Sequence, residues 1–280
     1  MKSHVELMFD PPGPKGRRTA RRASIISCIV LAAIVALVIH LFSDSGGLDA
    51  QKWAIFTSPA VWALLAKALG ATLKAALTAG FVALALGVVL ALLRLSRKRW
   101  LCMVVGSYVE VTRSLPTLLV LYFTILMLPH YGIRLPVYWQ LVLALTLTNA
   151  ALISEILRAS LLSVPQGQTE AALSLGLTRS RALVFIVLPQ GFRAAMPALI
   201  AQLIYLLKGT TLGYVISYEE MLFSARLIGE YTGFILQSFL VVTVIYFVLD
   251  AGLSQLALWL DRRLAASATT KAPLLLSTDG

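Results

Sequence analysis

Pro165-Gln166-Gly167-Gln168-Thr169-Glu170-Ala171-Ala172-Leu173-Ser174-Leu175-Gly176-Leu177-Thr178 is a polar, small-residue stretch inside an otherwise apolar chain. It sits in a less apolar segment, residues 158–193, between two long hydrophobic runs. A connection of that length in a compact protein is usually functional. Two short helical patterns flank Gly176, from Glu170 to Leu175 and from Arg179 to Val187. Glycine lets a chain leave one helix through positive φ, so the spacing predicts a helix–Gly–helix knob. Ala171 and Ala172 keep the first helix narrow, and another protein surface can approach its backbone closely.

Outward from the knob, the chain is built for lipid. Of its 280 residues, 59% are hydrophobic and 13% charged, and the mean hydropathy is +0.84. Soluble domains run near about 50% apolar and about 25% charged, and a water-soluble fold could not hide this much apolar surface. At roughly 20 residues per crossing, the apolar runs predict six spans: residues 24–42, 69–93, 108–129, 137–157, 194–216 and 234–258. Pro116 interrupts the third near its start. The fold class is an all-α integral membrane protein, with no stretch left for a soluble catalytic domain.

The ends and connections follow from composition. Residues 1–23, with Pro11, Pro12, Pro14 and a run of arginines, predict a basic disordered tail. The run 24–42 is too long for a signal-peptide core and lacks a small-x-small cleavage site, so it predicts a retained span. Residues 43–64 predict an external loop, and the Ala/Ser/Thr-rich residues 264–280 a second disordered tail. On this layout 17 of the 24 Lys and Arg fall on one side and four on the other, which places both termini in the cytoplasm. The net charge of +11 therefore belongs to cytoplasmic loops, not to nucleic-acid binding. Cys28 and Cys102 have neither disulfide nor metal-ligand spacing. His4, His40 and His130 lie in a tail or near span ends, away from any serine they might serve as a base.

Glu170-Ala171-Ala172, then Gly176, then Ile186-Val187-Leu188-Pro189 fill every position of a known pattern at the right spacing. The chain resembles the importer permeases of the ABC superfamily, whose EAA loop has this signature. The resemblance covers residues 65–263, a five-helix core with the EAA loop at 165–189, and makes the first span an addition. Tyr108-Val109-Glu110-Val111-Thr112-Arg113-Ser114-Leu115-Pro116, Ser154-Glu155-Ile156-Leu157-Arg158-Ala159 and Leu207-Lys208-Gly209-Thr210-Thr211-Leu212 are similar to segments of its polar amino-acid branch. Gly209 departs from that branch, which usually has Asp there. Ser114-Leu115 and Leu212-Gly213-Tyr214 resemble the glutamate-type permeases of actinobacteria.

The resemblance implies a non-enzymatic permease subunit in a bacterial cytoplasmic membrane, importing glutamate or a close relative. It implies four kinds of partner: ATP-binding-cassette ATPase subunits, a second permease subunit, an extracytoplasmic amino-acid-binding protein and the lipid bilayer. Glu170, Ala171, Ala172, Gly176, Ile186, Leu188 and Pro189 would couple to the ATPase. ATP and Mg would be bound by that partner; no cofactor is expected on this chain, which has no Gly-x-x-x-x-Gly-Lys-[Ser/Thr] phosphate loop. The rival reading is an ion-coupled secondary transporter or channel, which would make the loop coincidental. The absence of an internal repeat weighs against an inverted-repeat transporter.

Ionisable residues within the spans are costly unless paired or wet. Thr148, Glu155 and Arg158 share one helical face, with Asn149 beside it. Two readings stand: local i,i+3 pairs, Glu110 with Arg113 and Glu155 with Arg158, or a pathway lined by Arg113, Glu155, Thr148, Asn149 and Lys208. Lys208 has no acid nearby in sequence, so its partner is distant or solvent, and it stands available to a passing anion.

Overall fold

The computed structural model describes residues 13–96 and 98–269, and among them it is helical with no strand. It divides into two compact units, residues 1–58 and 59–280.

The first unit is dominated by α1, Pro14–Asp44, followed by α2, Ala50–Ala54, and a 3-10 turn, Ile55–Thr57. Pro14 opens α1 where a missing N–H is harmless. Helix therefore runs straight through the basic segment, which corrects the expected disorder for residues 14–23; the rest of that tail lies outside the described residues. The expected loop at 43–64 is also partly helical. Lys52 Nζ and Trp53 Nε1 donate to the carbonyls of Gly46 and Gly47, at 2.6 and 2.9 Å, and tie α2 to the end of α1.

The second unit is built around α6, Val137–Leu162, whose buried residues run from Leu141 to Leu161. Against it lies α3, Pro59–Arg94, longer at its start than the span predicted from residue 69. The buried face of α3 is a stripe of small residues, Ala68, Thr72, Ala75, Ala79, Ala83, Gly87 and Ala91. Small residues let two backbones approach, which is how apolar helices gain packing when lipid offers no hydrophobic driving force. At Gly87 the approach is so close that a Cβ would sit 2.5 Å from Ile153 Cγ2. Leu141, Leu145, Ile153 and Leu157 of α6 complete this core with Ala195, Leu199, Leu206 and Leu207.

The third predicted span is two helices. α4, Arg99–Ser114, and α5, Thr117–His130, meet at a bend of 103°. Pro116 explains the break: it has no N–H, and it drives Leu115 to extended backbone at φ −92°, ψ 132°. α5 then runs along α6, with Leu121 packed near Ala144 and Thr124 within reach of the Gln140 carbonyl.

The segment 158–193 is also mostly helical: α7, Gln166–Ser174, and α8, Arg179–Ala182, with a π turn, Leu183–Val187, leading into α9, Leu188–Gly209. A 3-10 stretch, Thr210–Ile216, ends that run. A further helix, α10, Met221–Thr232, lies between the last two expected spans, and Glu220 caps it by accepting from the backbone N–H of Leu222 and Phe223. α11, Ile235–Thr269, closes the fold and shortens the expected second tail to residues 270–280, outside the described residues. Among the described residues five helices are long and apolar enough to cross a bilayer, or up to six if the bent α4–α5 pair is one span.

Candidate functional site

The knob folds as its glycine dictates. At the end of α7 the Leu177 N–H donates to Ala172 O at 3.1 Å and the Gly176 N–H to Leu173 O at 2.9 Å, with Gly176 at φ +83°. That pair of bonds around a left-handed residue is the Schellman ending, which satisfies carbonyls the helix leaves open. Thr178 restarts the chain, its hydroxyl accepting from the Arg181 N–H. α7 folds back onto α8 and the π turn, with Ala172 and Ala182 buried between them. Gln190 Nε2 reaches Gln168 Oε1 at 3.4 Å across the same joint. The π turn lies just before Pro189, where an α-helical carbonyl would meet the proline ring.

The charged residues gather differently from either sequence reading. Glu155 is a hub: its carboxylate accepts from Arg94 of α3 and from Arg158 Nη2 at 2.6 Å, and Arg113 Nη1 of α4 lies 3.8 Å away. The Glu155–Arg158 pair stands. Among the described residues no ion pair joins Glu110 to Arg113, because Arg113 turns to Glu155 instead. Thr148 and Asn149 are buried. The Thr148 hydroxyl donates back to Ala144 O, and Asn149 binds Leu145 O and, through Oδ1, Gln202 Nε2 of α9 at 2.8 Å. Thr148 is thus satisfied within α6, and Asn149 Oδ1 joins α6 to α9.

Comparison with known proteins places this arrangement. Residues 83–266 match the family described as binding-protein-dependent transport system inner membrane component. The chain belongs to that family. The permease is 35% identical to the glutamate transport system permease protein GluD of Corynebacterium glutamicum over 82% of its own length and 86% of that protein's. It is 36% identical to the glutamate/aspartate import permease protein GltK of Escherichia coli, over 69% and 90%. Its fold superposes on the crystal structure of an amino acid ABC transporter at a TM-score of 0.71 and 30% identity, covering 77% of this chain and 99% of that one. The permease is thus a multi-pass inner-membrane component, and the ion-coupled alternative is not favoured.

Within the permease the signature positions divide by exposure. Glu170, Ala171, Gly176 and Pro189 are exposed, Ile186 and Leu188 are half-buried, and Ala172 is buried. The first group is open to a partner and the last holds the knob together. Lys208 has a distant partner, one of the two outcomes its surroundings in the sequence left open. It lies in the last turn of α9, and its Nζ is 2.8 Å from Asp250 Oδ2 of α11. Arg94, Asp250 and Gln202 are the residues that sequence reasoning missed. A lone acid in the middle of the last apolar run was the available signal for Asp250. Nothing comparable pointed to Gln202.

Outside the spans, Glu220 is fully buried, and its carboxylate also accepts from Tyr246 Oη at 3.1 Å. Loss of hydration pushes its carboxyl up to about 7, against the opposing pull of the two α10 N–H groups and the Tyr246 hydroxyl.

Proposed function

We propose that this permease imports a polar amino acid, glutamate or a close relative, using a separate ATP-binding-cassette ATPase docked at the α7–Gly176–α8 knob. ATP and Mg belong to that ATPase. A second permease subunit, identical or paralogous, completes the pathway, and an extracytoplasmic binding protein delivers the substrate. The chain crosses the membrane six times, α4–α5 counting as one crossing, with both termini in the cytoplasm.

The observation that carries this reading is the knob itself: a complete signature on a helix pair whose exposed face holds Glu170, Ala171 and Gly176. The similarity to GluD, a glutamate transport permease, and GltK, a glutamate/aspartate import permease, supports the substrate class. ATP-driven closure of the ATPases would move the two knobs and switch access between the two sides. Of the candidate pathway residues, Arg113 and Lys208 keep side chains 41% and 56% exposed, so they remain available to line such a route, Lys208 as half of an ion pair.

Three measurements test it. Glu170→Lys should abolish ATP-dependent uptake in vesicles while membrane insertion persists; normal uptake would remove the knob from coupling. A reporter fused after Thr178 should read cytoplasmic and one after Gly47 external; an external Thr178 could not meet an ATPase. Uptake of arginine without glutamate would overturn the substrate.

A further inference from the structure

α1 carries its basic residues into a place where they can act together. The helix has 31 residues, about 46 Å at 1.5 Å each, longer than a hydrocarbon core of about 30 Å. Its apolar part, residues 24–42, matches that core at about 28 Å. Arg17, Arg18, Arg21 and Arg22 therefore lie roughly 3 to 10 Å beyond it, the depth of the lipid headgroups. At 100° per residue the four fall within an arc of about 140°, while Gly16, Ala20 and Ala23 occupy the other side. All four arginines are exposed. α1 has no acid in its first turn, and the first acid along it is Asp44, at its far end and paired with His40 at 2.8 Å. Nothing within α1 neutralises this basic face.

We propose that the Arg17–Arg18–Arg21–Arg22 face of α1 binds the phosphate headgroups of anionic phospholipids. Guanidinium forks suit phosphate oxygens, offering two parallel N–H donors each. A disordered tail would hold such charges near the surface only on average. The helix fixes them at one depth and on one side, beside the acyl chains that α1 itself contacts. The basic arc supplies the headgroup contacts, and the exposed apolar side chains immediately after it, among them Ile25, Ile26 and Ile29, supply the acyl contacts. The extra span thereby acts as a lipid-selective anchor. This rests on the proposed topology, in which this end of α1 faces the cytoplasmic leaflet.

The test uses the full chain in nanodiscs of mixed phosphatidylglycerol and phosphatidylcholine, with protein-retained lipid quantified after delipidating washes. Wild type should retain phosphatidylglycerol selectively. Each arginine removed should lower that selectivity about fivefold, so R17Q/R21Q should fall by more than tenfold. Ala20→Pro keeps every charge but breaks the helix within the basic face, parting Arg17 and Arg18 from Arg21 and Arg22, and it should lose most of the selectivity. Wild-type selectivity in both variants would overturn the proposal. Displacement of the lipid by millimolar inorganic phosphate would overturn it in favour of a soluble anion site. Nanodisc leaflets are alike, so retention does not depend on orientation. Protease cleavage ahead of Gly13 in oriented vesicles checks the topology separately.

Discussion

Lys208 Nζ and Asp250 Oδ2 meet at 2.8 Å, bridging α9 and α11 where neither charge has another ionic partner among the described residues. Asp250 Oδ1 is buried without a hydrogen bond, so Lys208 carries most of what stabilises that carboxylate. Breaking the pair leaves one charge stranded in a span. Lys208→Met and Asp250→Asn should each lower the thermal midpoint in nanodiscs. Because Lys208 is more than half exposed, the loss should stay near about 1–2 kcal/mol rather than the larger cost of a fully buried pair. The reversal K208D/D250K should recover most of it, and failure to recover would mean the two residues act independently.

The Glu155 hub predicts an order of effects. Glu155→Gln leaves three guanidiniums without their shared counter-charge, whereas Arg113→Gln removes only the longest contact, at 3.8 Å. Unfolding midpoints should fall clearly for the first and by less than about 1 kcal/mol for the second. Equal losses would contradict the hub.

Gly176 has open space where a Cβ would go, so its constraint is conformational, set by φ +83°. Gly176→Val should strain the α7 ending by roughly 1–2 kcal/mol and abolish coupled uptake while the protein still inserts. Gly176→Asn, which tolerates left-handed backbone, should retain much of the uptake. Equal activity of the two variants would show that the turn geometry does not matter to coupling.

Glu220 predicts a pH dependence of unusual sign. Its folded value, about 7, lies above its unfolded value of 4.5, so the folded state holds the extra proton. The stability this group contributes is complete below pH 4.5 and is lost as pH rises from there through 7. The difference is on the order of 3 kcal/mol. Unfolding in detergent should show greater stability at pH 5.5 than at pH 8, and Glu220→Gln should flatten the difference. An unchanged slope in that variant would assign it to another group.

What the sequence made legible were the features encoded at short range. The knob was readable because Gly176 and its flanking helices are contiguous, and Arg158 was readable beside Glu155 because i,i+3 neighbours share a face. Arg94 and Arg113 reach Glu155 from other helices, and Asp250 lies 42 positions from Lys208, so no spacing rule connects them. Apolar content located the spans but could not show that Pro116 turns the third through 103°. The basic segment after Pro14 reads as a tail by composition, yet Ala20, Ala23 and the arginines are good helix formers continuous with a long apolar helix.

The bend at Pro116 has a consequence for hydration. α5 has 14 residues, about 21 Å, too short to cross about 30 Å of hydrocarbon alone. In the six-crossing topology proposed above, the corner formed by Ser114, Leu115 and Pro116 would then lie below the membrane surface. All three residues are exposed there, and Pro116 leaves the closing carbonyls of α4 without their helical donors. Acyl chains can satisfy no carbonyl, and irregular backbone survives at that depth only against protein or water. In that topology the corner would mark a side of the bundle from which lipid is excluded, by a neighbouring subunit or by a water-filled crevice.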